Sequence, residues 1–243
     1  MDKKSPLFPT SLKVVFIVWL ALLSNSALAL SRIQPTAIEW DSWPRLCKAA
    51  GHTNVEPPLG RSRPTISKQE RALIWKVGGW HYCMGYLKVQ RLELMTVTLN
   101  RKDLLRQALG DILYSFKRIA KTEPWAAEMA VTYARALRLA DKNDQAIEVL
   151  DEIKPLHPKY GPIYTAYTAL YFDNEEYDKA VAVLEEGNRA TGDSLGELQY
   201  FLGLAYFKSG NIEQARVYEQ KARENEYPLR FLTRKLAEYD AKQ

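Results

Sequence analysis

The residues of this sequence best suited to chemistry are two cysteines and three histidines. Cys47 and Cys83 stand 36 positions apart, and His52 and His81 lie close to them in the sequence. These four side chains could bind zinc, but the spacing between each cysteine and its neighbouring histidine does not follow the usual zinc-finger pattern. Outside the cytoplasm an even pair of cysteines usually forms a disulfide. We therefore predict a Cys47–Cys83 disulfide, with free thiols and a zinc site as the alternatives.

The rest of the sequence presents no catalytic site that we would select. We find no nucleophile elbow, no His-Glu-x-x-His zinc motif, no phosphate-binding loop and no Gly-x-Gly-x-x-Gly dinucleotide motif. The neighbouring acids Glu175 and Glu176 fall on a predicted solvent face. Gly78 and Gly79 lie inside an apolar helical run, where close packing or a kink is expected. We expect a protein that is not an enzyme and that uses no cofactor and no metal.

The first 29 residues have the pattern of a signal peptide. Lysines precede an apolar run over residues 14–23, and Ala27-Leu28-Ala29 forms a small-x-small cleavage site. We predict export to the periplasm or beyond, with cleavage after Ala29. The alternative is a leader that is retained as an anchor, which would be the protein's contact with the membrane. Export makes a nucleic-acid partner unexpected.

A repeat of nearly constant length occupies the second half of the chain. Ala146, Ala180 and Ala215 are 34 and 35 residues apart, and each follows a short polar stretch. An apolar helix begins about 14 residues before each alanine. In the last unit, Leu202-Gly203 and Tyr206 precede Ala215 in a pattern that resembles the tetratricopeptide repeat (TPR), a helix-turn-helix of 34 residues.

The resemblance implies an all-α fold, a TPR-like α-solenoid of stacked antiparallel helix pairs. It covers residues 127–228 clearly, as three repeats, and residues 69–121 weakly, within a divergent N-terminal repeat over 69–126 in which Gly85 and Ala108 take the small-residue positions. We expect long helices over 69–98 and 101–121, and a capping helix over 229–243. Residues 30–68 form an extension with one short helix between 36 and 50 and a Pro-rich loop.

TPR proteins bind partners in a groove lined by the first helix of each unit, and the resemblance carries this function over as an expectation. The groove positions here are Val131, Arg135, Arg138, Thr165, Ala169, Phe172, Tyr200, Leu204 and Phe207. The Lys and Asn pattern with which chaperone-docking TPR domains clamp a carboxylate is absent. We expect a helical or extended apolar segment of a protein partner as the ligand. Alternatively, the C-terminal helix covers the aromatic part of this groove.

Charge is divided unevenly along the chain. The formal charge of the whole sequence is +5, yet residues 30–126 carry +8 and residues 127–243 carry −5. The repeat and the leader together predict a scaffold or adaptor in a cell-envelope assembly. The basic front half gives the alternative, a binder of an anionic envelope polymer, either polysaccharide or lipid headgroups. The basic patch of that alternative consists of Arg61, Arg63, Arg101, Lys102 and Arg106. The charges could also simply neutralise each other or solvate the surface.

Overall fold

The computed structural model of the chain describes residues 34–50, 55–94 and 100–243. Within them it contains twelve α-helices, one 3₁₀ turn and no strand, so the predicted all-α class is confirmed. The chain divides after Ile66 into two compact units. None of the helices in the described ranges is both long and apolar enough to cross a membrane. The predicted leader lies outside the described residues.

The first unit contains two short helices, α1 (Ala37–Ser42) and α2 (Arg45–Ala49). Our expectation of one helix between 36 and 50 was wrong. Pro44 disfavours helical geometry at the residue before it, and Trp43 is accordingly extended. Thr36 and Glu39 start α1 with a capping box, in which each side chain accepts a hydrogen bond from the other residue's backbone N–H.

The second unit consists of the remaining ten helices, which pack in neighbouring pairs. Three of these helices begin at residues that favour a helix start. Ser67 forms a capping box with Glu70, and Pro124 and Pro162 are each the first residue of a helix. The ten helices are α3 (Lys68–Val77), α4 (Gly79–Glu93), α5 (Arg101–Phe116), α6 (Pro124–Leu139), α7 (Asn143–Ile153), α8 (Pro162–Asp173), α9 (Tyr177–Ala190), α10 (Gly196–Lys208), α11 (Ile212–Glu224) and α12 (Phe231–Asp240).

The long helix expected over 69–98 is broken into α3 and α4 at Gly78. This residue adopts a left-handed conformation, with φ of +62°, and its N–H donates to the carbonyl groups of Ile74 and Trp75 to close the end of α3. Glycine reaches this conformation without the steric penalty that a side chain adds. The kink that we considered for the Gly78-Gly79 pair is therefore a complete helix end.

Small residues hold the paired helices close together. A Cβ at Gly85 of α4 would lie 2.6 Å from Ile112 Cγ1 and 3.2 Å from the carbonyl oxygen of Ala108, both on α5. A Cβ at Gly203 of α10 would lie 3.2 Å from the carbonyl oxygen of Ala215 on α11. The repeat predicts that a glycine of one helix faces an alanine of the next. At both positions the two helix backbones are in direct contact.

Candidate functional site

The first helices of the successive pairs, α4, α6, α8 and α10, contact one another in a row. Between them lies a cleft of about 310 Å³. Five of the nine residues predicted for a groove line this cleft, and they are Val131, Arg135, Arg138, Thr165 and Ala169. The cleft is therefore the surface that we take as the candidate binding site.

Small and apolar residues form much of the lining of the cleft. Ala134, Ala166 and Ala169 contribute short side chains from α6 and α8, while Val131 and Phe201 contribute larger apolar ones. Short side chains leave room in the cleft for a ligand's backbone or for its own side chains. The apolar lining favours a ligand with apolar groups, because burying them removes their surface from water.

Arg135 is already occupied by an intramolecular partner. Its Nε donates to Glu93 Oε1 at 3.0 Å, and its Nη2 donates to the other carboxylate oxygen of Glu93. Burial alone would lower the pKa of Arg135, but the hydrogen bond and the negative charge of Glu93 outweigh it and raise the pKa above its ordinary value. A planar, two-point pair of this kind fixes the guanidinium in position. Arg135 thus shapes the cleft wall, and Glu93 is a wall residue that the sequence analysis missed.

Arg138 is only partly satisfied by its partner. Its Nη1 donates to both carboxylate oxygens of Asp173, at 3.1 and 2.9 Å. Its Nε is buried and has no hydrogen-bond acceptor. Because this atom has almost no accessible surface, a ligand in the cleft cannot reach it in this arrangement. The side chains of Arg138 and Arg135 stay 27% and 30% exposed, so both present positive charge to a ligand.

The remaining four predicted groove residues do not line the cleft. Tyr200 is buried in a cluster with Leu232 and Leu236 of α12, and Leu204 and Phe207 pack against the same cluster. The alternative in which the C-terminal helix covers the aromatic part of the groove therefore fits Tyr200, while the cluster beside Leu204 and Phe207 also contains Ala215 and Ala222 of α11. Phe172 instead packs edge-on against Tyr177, with 5.6 Å between ring centroids.

A polar cluster that the sequence analysis did not identify lies between α4 and α6. Glu128 Oε1 accepts hydrogen bonds from Tyr82 Oη at 2.8 Å and from Trp125 Nε1 at 3.0 Å. Burial raises the pKa of Glu128, although both hydrogen bonds oppose the shift. The hydroxyl groups of Tyr82 and Thr132 are 3.1 Å apart. Because these donors come from two helices, the cluster ties α4 to α6 beside the cleft.

The predicted basic patch is not a set of unpaired cations. Arg61 makes a two-point ion pair with Asp41 at 2.7 Å, Arg63 donates to the carbonyl groups of Lys48 and Val55, and Arg106 pairs with Asp103 at 3.0 Å. Arg101 donates to the carbonyl of Leu92, while Lys102 is exposed and borders a separate groove along α5. Arg61 and Arg63 belong to the first unit and the other three to the second. The function of this patch stays a prediction.

Both cysteines of the chain are disulfide-bonded, in agreement with the predicted bridge. The described residues hold no group of three or more His, Cys, Asp or Glu side chains placed to bind a metal, and His52 lies outside them. His81 faces Asp111, with 3.1 Å between Nδ1 and Oδ1.

A literal Gly-x-Ser-x-Gly match, Gly192 to Gly196, escaped the sequence analysis. The structure places Gly192 to Leu195 in the turn after α9 and Gly196 at the first position of α10, with no strand before the match in the described part of the chain. The Ser194 hydroxyl donates to the carbonyl of Thr191 at 2.8 Å. His157, whose Nε2 lies 2.6 Å from the carbonyl oxygen of Lys121, and His81 are both engaged elsewhere. A nucleophile elbow requires the strand and a base, so this match supports no hydrolase site.

Comparison of the chain with protein-family models, with curated proteins and with solved structures finds no match. The resemblance to the tetratricopeptide repeat therefore depends on the repeat period and its small residues alone.

Proposed function

We propose that this protein is a non-enzymatic scaffold or adaptor of TPR-like solenoid architecture, which holds a segment of a partner protein in the cleft between α4, α6, α8 and α10. The single observation that supports this most is the position of the cleft. It lies on the row of first helices, and five of the nine groove residues expected from the resemblance line it, including Arg138 and Thr165. The cell-envelope location within this proposal depends on the leader pattern of residues 1–29.

The size of the cleft limits how much of a ligand enters it. Its volume of about 310 Å³ holds a few side chains and not a whole helix, which is about 10–12 Å across. Either ligand form expected from the sequence, helical or extended, would therefore place two or three apolar side chains in the cleft and leave its backbone at the surface.

The polar groups of the cleft indicate how the segment is oriented. Arg135 is held by Glu93 and Arg138 by Asp173, and both side chains stay partly exposed. A backbone carbonyl or a carboxylate of the ligand would contact the exposed part of Arg138, and apolar side chains would contact Val131 and Ala169. Replacing Arg138 with Gln should weaken binding about tenfold or more, because a hydrogen bond to a charged group contributes about 1.5–3 kcal/mol.

Site-specific photo-crosslinking in the native envelope tests this proposal. A photoreactive residue at Thr165, inside the cleft, should crosslink one defined segment of a partner, which mass spectrometry then maps. The same residue at Glu148, exposed on α7, is the matched control and should not crosslink that segment. Equal crosslinking of the segment from both positions would contradict the proposal, and so would a cleft position that crosslinks no protein.

A further inference from the structure

Glu197 is an acidic residue of the cleft for which the described chain supplies no partner. It lies in the first turn of α10, lines the cleft and is exposed. Its side chain forms no ion pair and no hydrogen bond with any residue that the structure describes. The other charged groups of the cleft are paired, since Glu93 holds Arg135 and Asp173 holds Arg138. Among the charged residues that line the cleft, Glu197 is therefore the one whose charge a ligand would neutralise.

The surroundings of Glu197 make its negative charge costly. Although the side chain is open to the cleft, neighbouring protein displaces part of its water, and this raises the pKa of Glu197 above its ordinary value. Burial likewise raises the pKa of Tyr160, and the negative charges of Glu128 and Glu197 both add to that shift. The two acids thus act on the same hydroxyl group, which places them in one negatively charged region. A cation bound there would be attracted by both.

An apolar side chain lies beside the carboxylate of Glu197. Phe201 follows Glu197 by four residues, so the two side chains are neighbours on one face of α10. Phe201 is half-buried and lines the same cleft. A carboxylate next to an apolar ring suits a side chain that has an apolar stem and a cationic end, which is the form of lysine and arginine.

We propose that the cleft recognises an arginine of the partner segment, whose guanidinium pairs with Glu197 while its methylene stem packs on Phe201. Two properties favour arginine over lysine. A guanidinium donates two parallel hydrogen bonds to one carboxylate, which fixes its orientation. It is also more weakly hydrated than an ammonium group, so it loses less on entering a site where Glu197 has already lost part of its water. This inference rests on the proposed function, because it requires that the cleft holds a partner segment.

Selection from a phage-displayed library of random dodecapeptides against the full mature protein tests this recognition. The unmodified protein should enrich peptides in which an arginine lies beside apolar residues. Glu197→Arg reverses the charge at an exposed position and should enrich peptides with Asp or Glu in place of that arginine. Glu213→Gln, which changes an exposed acid in the first turn of α11, is the matched control and should select the same arginine peptides as the unmodified protein.

Fluorescence anisotropy with one enriched peptide then measures the pairing. Replacing its arginine with citrulline, which keeps the shape and removes the charge, should weaken binding about tenfold. Glu197→Gln should weaken binding of the arginine peptide by a similar factor. The same variant should bind the citrulline peptide as the unmodified protein does, because both changes remove one interaction. Lysine in place of the arginine should weaken binding severalfold.

The outcomes separate this inference from the proposed function. The Ala169→Trp variant, in which the cleft is filled, should lose the selected peptides. Enrichment of no peptide, or full retention of the peptides by Ala169→Trp, would count against both. Peptides that need an open cleft but carry no arginine, or that bind the Glu197→Gln variant undiminished, would overturn the inference and leave the proposed function standing. Lysine peptides that bind as tightly as arginine peptides would also overturn the assignment to arginine.

Discussion

The contact between α4 and α5 makes a quantitative prediction about two glycines that lie in helices. Gly85 faces α5, where an added Cβ would approach Ile112 Cγ1 to 2.6 Å and the backbone nitrogen of Ile112 to 3.2 Å. Gly110 lies in α5 itself, and an added Cβ would have nothing within 4 Å. Replacing each glycine with alanine therefore separates the effect of helix propensity from the effect of helix packing.

Helix propensity and helix packing change the free energy of unfolding in opposite directions. Alanine is favoured over glycine inside a helix by about 1 kcal/mol, and this gain applies at both positions. At Gly85 the added methyl group must also displace backbone and a β-branched side chain, and overpacking of this kind costs about 1–3 kcal/mol. Gly110→Ala should thus raise the free energy of unfolding by about 0.5–1 kcal/mol. Gly85→Ala should lie below Gly110→Ala by about 1–3 kcal/mol.

Thermal unfolding followed by circular dichroism measures the difference. For a chain of this size, 2 kcal/mol corresponds to a shift of about 4–8 °C in the unfolding midpoint. Urea unfolding should rank the two variants in the same order. If Gly85→Ala were as stable as Gly110→Ala, α4 and α5 would not approach as closely as described, and the small-residue argument for the paired helices would be refuted.

Three further predictions follow from other parts of the molecule. Leu232→Ala, which empties a fully buried position beneath α12, should cost about 2–5 kcal/mol in urea unfolding, whereas the exposed neighbour Phe231→Ala should cost less than about 1 kcal/mol; equal effects would contradict the packing of α12. Burial raises the pKa of Glu128 above its ordinary value of 4.5, so its contribution to stability is present below that pH and is lost as pH rises. Glu128→Gln should therefore be more stable than the unmodified protein at pH 7 and should lose that advantage near pH 4. A stability advantage of Glu128→Gln that does not depend on pH would contradict this prediction. Titration of thiols in the denatured, unreduced protein should find none, and two reactive thiols would rule out the disulfide.

The sequence predicted the paired helices because small residues carry their own spatial information. An alanine or glycine that recurs every 34 or 35 residues on an apolar helix face marks where two backbones approach, and the surroundings of Gly203 beside Ala215 bear this out. The same repeat gave the cleft residues of α6 and α8, Arg138 and Thr165 among them, because groove positions lie at fixed offsets within each unit.

The parts that the sequence could not predict depend on contacts between distant segments. Glu93 lies 42 positions from Arg135, and no periodicity links the two. Tyr200 occupies a groove position by its register, but α12 folds over it and buries it. The end of α3 at Gly78 requires a left-handed backbone, which an apolar pattern running through the position conceals. Each is a consequence of tertiary packing and not of local pattern.

The most direct test of the central claim uses the partner segment that Thr165 crosslinks. Isothermal titration of that segment, synthesised as a peptide, should give saturable binding to the unmodified protein. Ala169→Trp, which fills the cleft from α8, should weaken that binding by at least about tenfold, while Glu148→Trp on the exposed face of α7 should leave it unchanged. Undiminished binding to the Ala169→Trp variant would contradict the claim that the cleft holds the partner.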